Sequence, residues 1–235
     1  MKLTYLDNIY TDSKPIIVNK AFAIIVMGAA MAASIAGCGG KKTADVATVE
    51  GENDTMTTVS QLHVDGLFLR NAAGDTVVLT GPSLGCFYND STVMAFKQKW
   101  GANITRAAIG AHTSGDVVNC YDADSADAMT KLYAVIDAAI DNDMYVICDW
   151  HSHENRLEDA KKFFTAVTDK YGDTPNILYE IWNEPTEVQW QEIKDYANEL
   201  IPVIREKAAN SVVIVGTAKW DQDVDIACES GLELE

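Results

Sequence analysis

Short apolar runs alternate with helix-like patterns through the second part of the chain. Between the runs, apolar residues recur every three to four positions, as on one face of an amphipathic helix. Strands of a parallel sheet are buried on both faces and are joined by crossover helices, which gives this alternation. The pattern predicts five strands, at residues 79–83, 103–109, 144–150, 176–182 and 211–216.

The helical stripes cover residues 129–140, 157–171 and 190–204. Pro202 falls inside the last of them and is expected to kink it. Ahead of the first strand, three short β-like pieces are separated by turn residues and predict a small β-hairpin. These pieces are residues 59–64, 67–69 and 77–79.

Polar side chains gather where the predicted strands end. They are Arg106, residues 149–151, residues 183–184 and Trp220. The turn after the first strand, residues 81–85, lacks the glycine pattern of a nucleotide-binding doubly wound sheet. Chemistry at the carboxyl ends of strands is typical of a TIM barrel. We therefore predict an α/β fold, a (β/α)8 barrel of which about the first five β/α units are present.

The N-terminal segment has the pattern of an export signal. Residues 21–33 form an apolar run that would reach about 20 Å as a helix, short of the ~30 Å core of a bilayer. Residues 35–38 (IAGC) resemble the lipobox of bacterial lipoproteins, which implies a lipid on Cys38. An ordinary cleaved signal with an incidental cysteine is the alternative.

These features divide the chain into three parts. We predict a signal peptide at residues 1–37, a flexible tether at 38–58 and a partial catalytic domain at 59–235. The expected product is an exported bacterial lipoprotein, held by its anchor in the cell envelope or at the cell surface.

Composition narrows the possible partners. The 235 residues carry 35 acidic and 18 basic side chains, a net charge of −17, which argues against nucleic acid as a partner. The 48% hydrophobic content argues against global disorder. The cysteine spacing fits no metal site. Cys86 and Cys120 could pair, whereas Cys148 lies in an apolar strand where a buried thiol is expected.

The most specific segment is residues 179–185 (YEIWNEP). A carboxylic acid at a strand end, beside a side-chain amide, suits the acid/base of a glycosidase. Glu184 would protonate the leaving oxygen and then deprotonate water, while Asn183 would bind a sugar hydroxyl. The alternative is that Glu184 only caps the following helix.

Several segments together resemble glycoside hydrolase family 5, especially its bacterial cellulases, from about residue 59 to the end. The matching pieces are residues 62–79 as an entry hairpin, 100–103 (WGAN), 105–108 (TRAA), 145–151 (YVICDWH), 179–185 and 213–223 (VIVGTAKWDQD). The resemblance implies hydrolysis of β-1,4 bonds in cellulose-like β-glucans by a retaining mechanism, without a cofactor.

The resemblance also assigns roles to five residues. Glu184 is implied as the general acid/base and Asn183 as its sugar-binding neighbour. Arg106 is implied near the reacting carboxylates, His151 at the sugar whose bond is cleaved, and Trp220 as an aromatic face for a sugar ring.

Each supporting role has a structural alternative. Arg106 could be only an ion-pair partner of Glu180, and His151 only a hydrogen-bonding neighbour of Asp149. Trp220 could belong to the core.

Two departures from the family bear on activity. The resemblance places the nucleophile, a second glutamate, on the seventh strand, whereas this sequence stops where the sixth is expected. Glu180 lies four residues before Glu184, about 13 Å away along an extended strand, too far for a retaining pair. We therefore expect this chain alone to be inactive or nearly so. The first loop is also short, where Phe87 or Tyr88 could serve as a sugar platform.

Two other functions stay open at this point. One is a non-catalytic lipoprotein that binds glycans at the cell surface, and the other is a family 5 enzyme acting on mannan or xyloglucan. The oligomeric state is not indicated, although open edges of a parallel sheet favour poor solubility or assembly with another chain.

Overall fold

The structure, a computed structural model, describes residues 59–84, 90–112 and 120–230, together with the backbone of strand β1 (Ile16–Val18). The lipidation of Cys38 and the tether lie outside the described residues and stay predictions. The same holds for Cys86, and hence for its pairing with Cys120, and for Phe87 and Tyr88.

The structure has a parallel sheet of six strands and a small antiparallel hairpin; five of the six strands follow the hairpin, as predicted for a partial barrel. The hairpin pairs β2 (His63–Asp65) with β3 (Phe68–Arg70). In the sheet the order is β1-β8-β7-β6-β5-β4, with every pair parallel. The strands after the hairpin are β4 (Ser83–Leu84), β5 (Ile104–Gly110), β6 (Tyr145–His151), β7 (Ile177–Glu180) and β8 (Val213–Val215).

The helices follow the predicted stripes. The Asp124 side chain accepts a hydrogen bond from the backbone N–H of Asp127 and so caps α2. Pro202 does not end α4, which continues for one more turn. None of the helices in the described part of the chain is long and apolar enough to cross a membrane. The helices are α1 (Asp90–Trp100), α2 (Ser125–Asp141), α3 (Leu157–Tyr171), α4 (Trp190–Arg205), α5 (Ala218–Asp221) and α6 (Val224–Glu229).

The first predicted strand is shorter than expected. Residues 79–83 were predicted to pair, but only Ser83 and Leu84 join β5. Before them, the Asn103 side chain holds the segment, because its amide accepts from Thr80 N at 2.7 Å and donates to Val78 O at 2.7 Å. These side-chain bonds, with a backbone bond from Asn103 N to Thr80 O at 3.0 Å, hold the segment in place of a regular strand ladder.

Strand alternation divides the sheet into two faces. On β6, Val146, Cys148 and Trp150 pack in the core between sheet and helices. Ile147 lies on the opposite face, in a second apolar cluster at the barrel interior that the hairpin covers from below. The next residues on that interior face, Asp149 and His151, therefore stand above an apolar layer, at the carboxyl end of the sheet.

Candidate active site

Three neighbouring strands bring charged side chains to the same place. Arg106 on β5, Asp149 on β6 and Glu180 on β7 all belong to the interior face. Asp149 is aligned with Glu180 on the neighbouring strand. Arg106 lies two residues before the β5 residue that is aligned with Asp149. The sequence pattern of polar residues at strand ends thus becomes one cluster.

Arg106 is the centre of this cluster. Its Nε lies 2.7 Å from Glu180 Oε2 and its Nη2 lies 2.9 Å from Glu180 Oε1. The same Nη2 lies 2.7 Å from Asp149 Oδ2. The guanidinium side chain is 13% exposed, so these are contacts of a largely buried cation with two buried anions. Arg106 is therefore an ion-pair partner of Glu180, as one alternative held.

The charges of the cluster act on one another. Burial opposes the charge on Arg106, but Asp149 and Glu180 outweigh it and raise the pKa of Arg106 above its ordinary value. Burial, with the charge of Asp149, raises the pKa of Glu180 well above its ordinary value, although Arg106 opposes this. Two carboxyl groups share one guanidinium, so negative charge exceeds positive charge in this cluster when both are ionised.

Asn183 is connected to the same guanidinium. Its Oδ1 accepts from Arg106 Nη2 at 2.6 Å, and the residue is 2% exposed. The contact orients the amide, because an arginine only donates. Asn183 Nδ2 is buried without a partner in the described structure. A donor left open next to Glu184 is what a hydroxyl ligand would use.

His151 stands at the end of β6 beside Asp149. Its Nδ1 lies 2.8 Å from Asp149 Oδ2. Burial lowers the pKa of His151, but the hydrogen bond to Asp149 and the charge of Asp149 outweigh burial, so the pKa is raised above its ordinary value. The ring is therefore both oriented by Asp149 and partly open to solvent.

Glu184 follows β7 and differs from the buried carboxylates around it. Its side chain is 45% exposed. The carbonyl oxygen of Glu184 accepts a hydrogen bond from His153 Nδ1 at 3.0 Å, and Glu184 Oε2 lies 4.0 Å from the same nitrogen. The carboxyl group is thus accessible while its backbone is held in place.

The loop after β8 places Trp220 next to the Glu184 segment. Trp220 N donates to Pro185 O at 3.0 Å, and Lys219 N donates to Thr186 O at 2.9 Å. Lys219, Trp220 and Asp221 all have positive φ, between 53° and 62°, so the chain turns sharply here. Trp220 is 48% exposed, which shows that the core alternative for this residue was wrong.

Asp221 is a residue at this site that sequence reasoning missed. Its Oδ1 accepts from Thr217 N at 2.7 Å. A Cβ added to Gly216 would lie 2.8 Å from Asp221 Oδ1 and 3.0 Å from the carbonyl oxygen of Asn183. Burial, with a further contribution from the charge of Glu184, raises the pKa of Asp221 to about 6 from an ordinary 3.8, against the effect of the Thr217 bond. Only its position directly after Trp220 could have drawn attention to it.

Asp221→Asn should stabilise the protein above pH 6. The folded state holds the Asp221 proton more tightly than the unfolded state, so stability falls as pH rises between 3.8 and about 6. Asparagine keeps the acceptor for Thr217 N but carries no charge. We expect a gain of up to about 3 kcal/mol at pH 8 and almost none at pH 4.

Urea unfolding followed by tryptophan fluorescence at pH 4, 6 and 8 measures this gain. The matched control is Asp225→Asn, which changes an exposed carboxylate nearby and should alter stability by about 0.5 kcal/mol or less. An equal gain at pH 4 and pH 8, or a loss at pH 8, contradicts the assignment.

The two carboxyl groups of the buried cluster, Glu180 and Asp149, are not accessible to a ligand in the way that Glu184 is. Both oxygens of Glu180 face Arg106, and Asp149 is completely buried. Within the described residues no group of three or more metal-binding side chains could hold a metal ion. The cluster orients the Asn183 amide next to the exposed acid Glu184.

Comparison with known proteins places this site in a family. The family model Cellulase (glycosyl hydrolase family 5) matches residues 70–230. Endoglucanase Z of Dickeya dadantii is 45% identical over 144 residues, covering 60% of this chain and 33% of that protein. An endoglucanase of Clostridium saccharobutylicum is 36% identical over 198 residues, covering 79% and 43%. The chain spans less than half the length of these curated relatives.

Solved structures agree with the sequence relatives. The catalytic domain of Thermobifida fusca endoglucanase Cel5A superposes with a TM-score of 0.64 at 32% identity, covering 74% of this chain and 58% of that one. A Cytophaga hutchinsonii structure gives a TM-score of 0.69 at 34% identity, with the same coverage. The family model matches more than half of the chain, and the chain belongs to glycosyl hydrolase family 5.

Proposed function

We propose that this chain supplies the acid/base half of an active site that hydrolyses β-1,4 bonds in cellulose-like β-glucans with retention of configuration. The observation that carries the proposal is the pairing of an exposed Glu184 with a buried Asn183 whose amide is oriented by Arg106 and whose Nδ2 is unpartnered. Such an amide stabilises a sugar hydroxyl beside the reacting carbon.

Each step assigns one task to Glu184. In the first step, a nucleophilic carboxylate outside the described residues bonds to the anomeric carbon, the glycosidic C–O bond breaks, and the Glu184 proton passes to the leaving oxygen. In the second step, Glu184 takes a proton from water, whose oxygen bonds to the same carbon and releases the nucleophile. His151 would contact the sugar whose bond is cleaved, and Trp220 would offer its aromatic face to a sugar ring.

The substrate class is supported by the relatives. Several of them are endoglucanases, and a structure of a variant of the Thermobifida fusca enzyme contains cellotetraose. Mannan and xyloglucan are the competing substrates. Release of reducing ends from carboxymethylcellulose, mannan and xyloglucan by the product of the complete gene should be fastest on carboxymethylcellulose. Preference for mannan or xyloglucan, or no turnover on any of them, contradicts the proposal.

A second candidate function is glycan binding without hydrolysis, because Trp220 offers an exposed aromatic face beside Glu184. Calorimetry with cellotetraose tests the binding part. Trp220→Ala should weaken binding about 5- to 150-fold, since stacking a sugar on an aromatic face contributes about 1–3 kcal/mol, by analogy with bases on aromatic side chains. Trp100→Ala is the matched control, because Trp100 is exposed on α1 and stacks only with Phe96 among the described rings.

Equal affinities for the two tryptophan variants would remove Trp220 from the binding site. Binding that depends on Trp220, without any turnover by the complete gene product, would favour the non-catalytic lipoprotein over the enzyme.

A further inference from the structure

His153 is the side chain in closest contact with Glu184 that the proposed mechanism leaves without a task. It lies in the loop after β6, two residues beyond His151. Ser152 makes the turn between them, because its buried Oγ donates to Glu154 O at 2.8 Å and accepts from Glu154 N at 3.1 Å. The turn directs His153 toward the end of β7.

The contact with Glu184 fixes where the proton of the neutral His153 ring resides. Nδ1 lies 3.0 Å from the carbonyl oxygen of Glu184, and a carbonyl oxygen only accepts. The proton is therefore on Nδ1, which leaves Nε2 as an acceptor with no partner among the described residues. The ring also packs edge-on against His151, with centroids 5.9 Å apart.

The two histidines form a pair held by different acceptors. His151 Nδ1 is bound to a carboxylate of the buried cluster, whereas His153 Nδ1 is bound to the backbone of the acid/base residue itself. Glu184 lies beyond the last hydrogen-bonded residue of β7, so the strand ladder does not hold its carbonyl. The described contact that does hold it is His153.

We propose that His153 is a positioning residue for Glu184: its Nδ1–H fixes the Glu184 backbone so that the carboxyl group stays in line with the leaving oxygen. This inference rests on the proposed function, since it requires Glu184 to deliver a proton. Loss of the contact should misplace the carboxyl group, and small misplacements of a catalytic group reduce rate by up to about 100-fold.

The dependence of rate on the leaving group separates positioning from a folding defect. Aryl β-cellobiosides release a phenol as the leaving group. An acidic phenol can leave as its anion without a proton, whereas a weakly acidic phenol needs a proton from Glu184. For His153→Ala in the complete gene product, we expect kcat/KM to fall about 10- to 100-fold on weakly acidic phenols and less than threefold on acidic ones. A merely structural role would lower both equally.

Three further variants complete the comparison. His153→Asn keeps an N–H donor near the Nδ1 position and should restore kcat/KM to within about threefold of the unmodified protein, with KM unchanged. His63→Ala, on the exposed hairpin, is the matched control and should show no effect. Glu184→Gln tests the proposed function itself and should show the strongest dependence on the leaving group.

The outcomes distinguish an error in the role of His153 from an error in the proposed function. If Glu184→Gln shows the leaving-group dependence and His153→Ala does not, only the role of His153 is wrong. If neither shows it, or the unmodified protein has no activity, the proposed function fails and the role of His153 with it. Independently of turnover, the ¹⁵N shifts of the His153 ring should report the Nδ1–H tautomer, and the Nε2–H tautomer would overturn the inference.

Discussion

Arg106→Ala is expected to lower the free energy of unfolding by about 3–5 kcal/mol, a large part of the ~5–15 kcal/mol that stabilises a typical protein. The substitution leaves Asp149 and Glu180 buried without their shared cation. It also removes the only described partner of Asn183 Oδ1. Breaking a buried ion pair from one side is costly because the remaining charge has neither water nor a counter-ion.

The pH dependence identifies the cause of this loss. Without the Arg106 cation, burial and the charge of Asp149 favour the protonated form of Glu180, so the folded variant takes up a proton and its deficit should be smaller at pH 5 than at pH 8. Urea unfolding at the two pH values measures it. The control is Arg70→Ala, whose partner Asp65 is half exposed and whose loss should cost about 0.2–1 kcal/mol. A deficit for Arg106→Ala no larger than that of Arg70→Ala contradicts the buried-cluster account.

Glu184→Gln should have the opposite profile, with a large loss of activity and almost none of stability. Removal of a general acid reduces rate by about 10²- to 10⁴-fold. The side chain is 45% exposed, and the nearest described nitrogen of a basic side chain, His153 Nδ1, lies 4.0 Å from its carboxylate, so little folding energy depends on it. The measurement is kcat/KM of the complete gene product on cellotetraose, together with the unfolding free energy.

Glu187→Gln is the matched control for that measurement, because Glu187 is exposed three residues further along the same loop. It should keep both activity and stability. Activity within threefold of the unmodified protein for Glu184→Gln would show that another group donates the proton. A loss of more than about 1 kcal/mol in stability would show that Glu184 is structural.

The sequence predicts those elements that depend on the residues within them. The apolar run at residues 144–150 predicts a buried strand with a buried Cys148, and the structure confirms it in β6. The cluster at the strand ends could also be predicted, since parallel strands bring their carboxyl ends to one edge.

Contacts between segments could not be predicted from the sequence. Asn103 replaces the ladder of the first strand through bonds to residues more than twenty positions away. His153 and Asp221 owe their places beside Glu184 to a serine turn and to a run of left-handed residues after β8. Neither feature has a periodicity or a spacing that the sequence displays, because both depend on which loops meet.

The central claim is that Glu184, next to an amide oriented by Arg106, is the acid/base of a retaining β-glucan hydrolase. The most direct test is ¹H NMR of the first products when the complete gene product cleaves cellotetraose. The β-anomer should appear first and convert to the α-anomer only by slow mutarotation. Initial release of the α-anomer, or no cleavage of cellotetraose, would contradict the account.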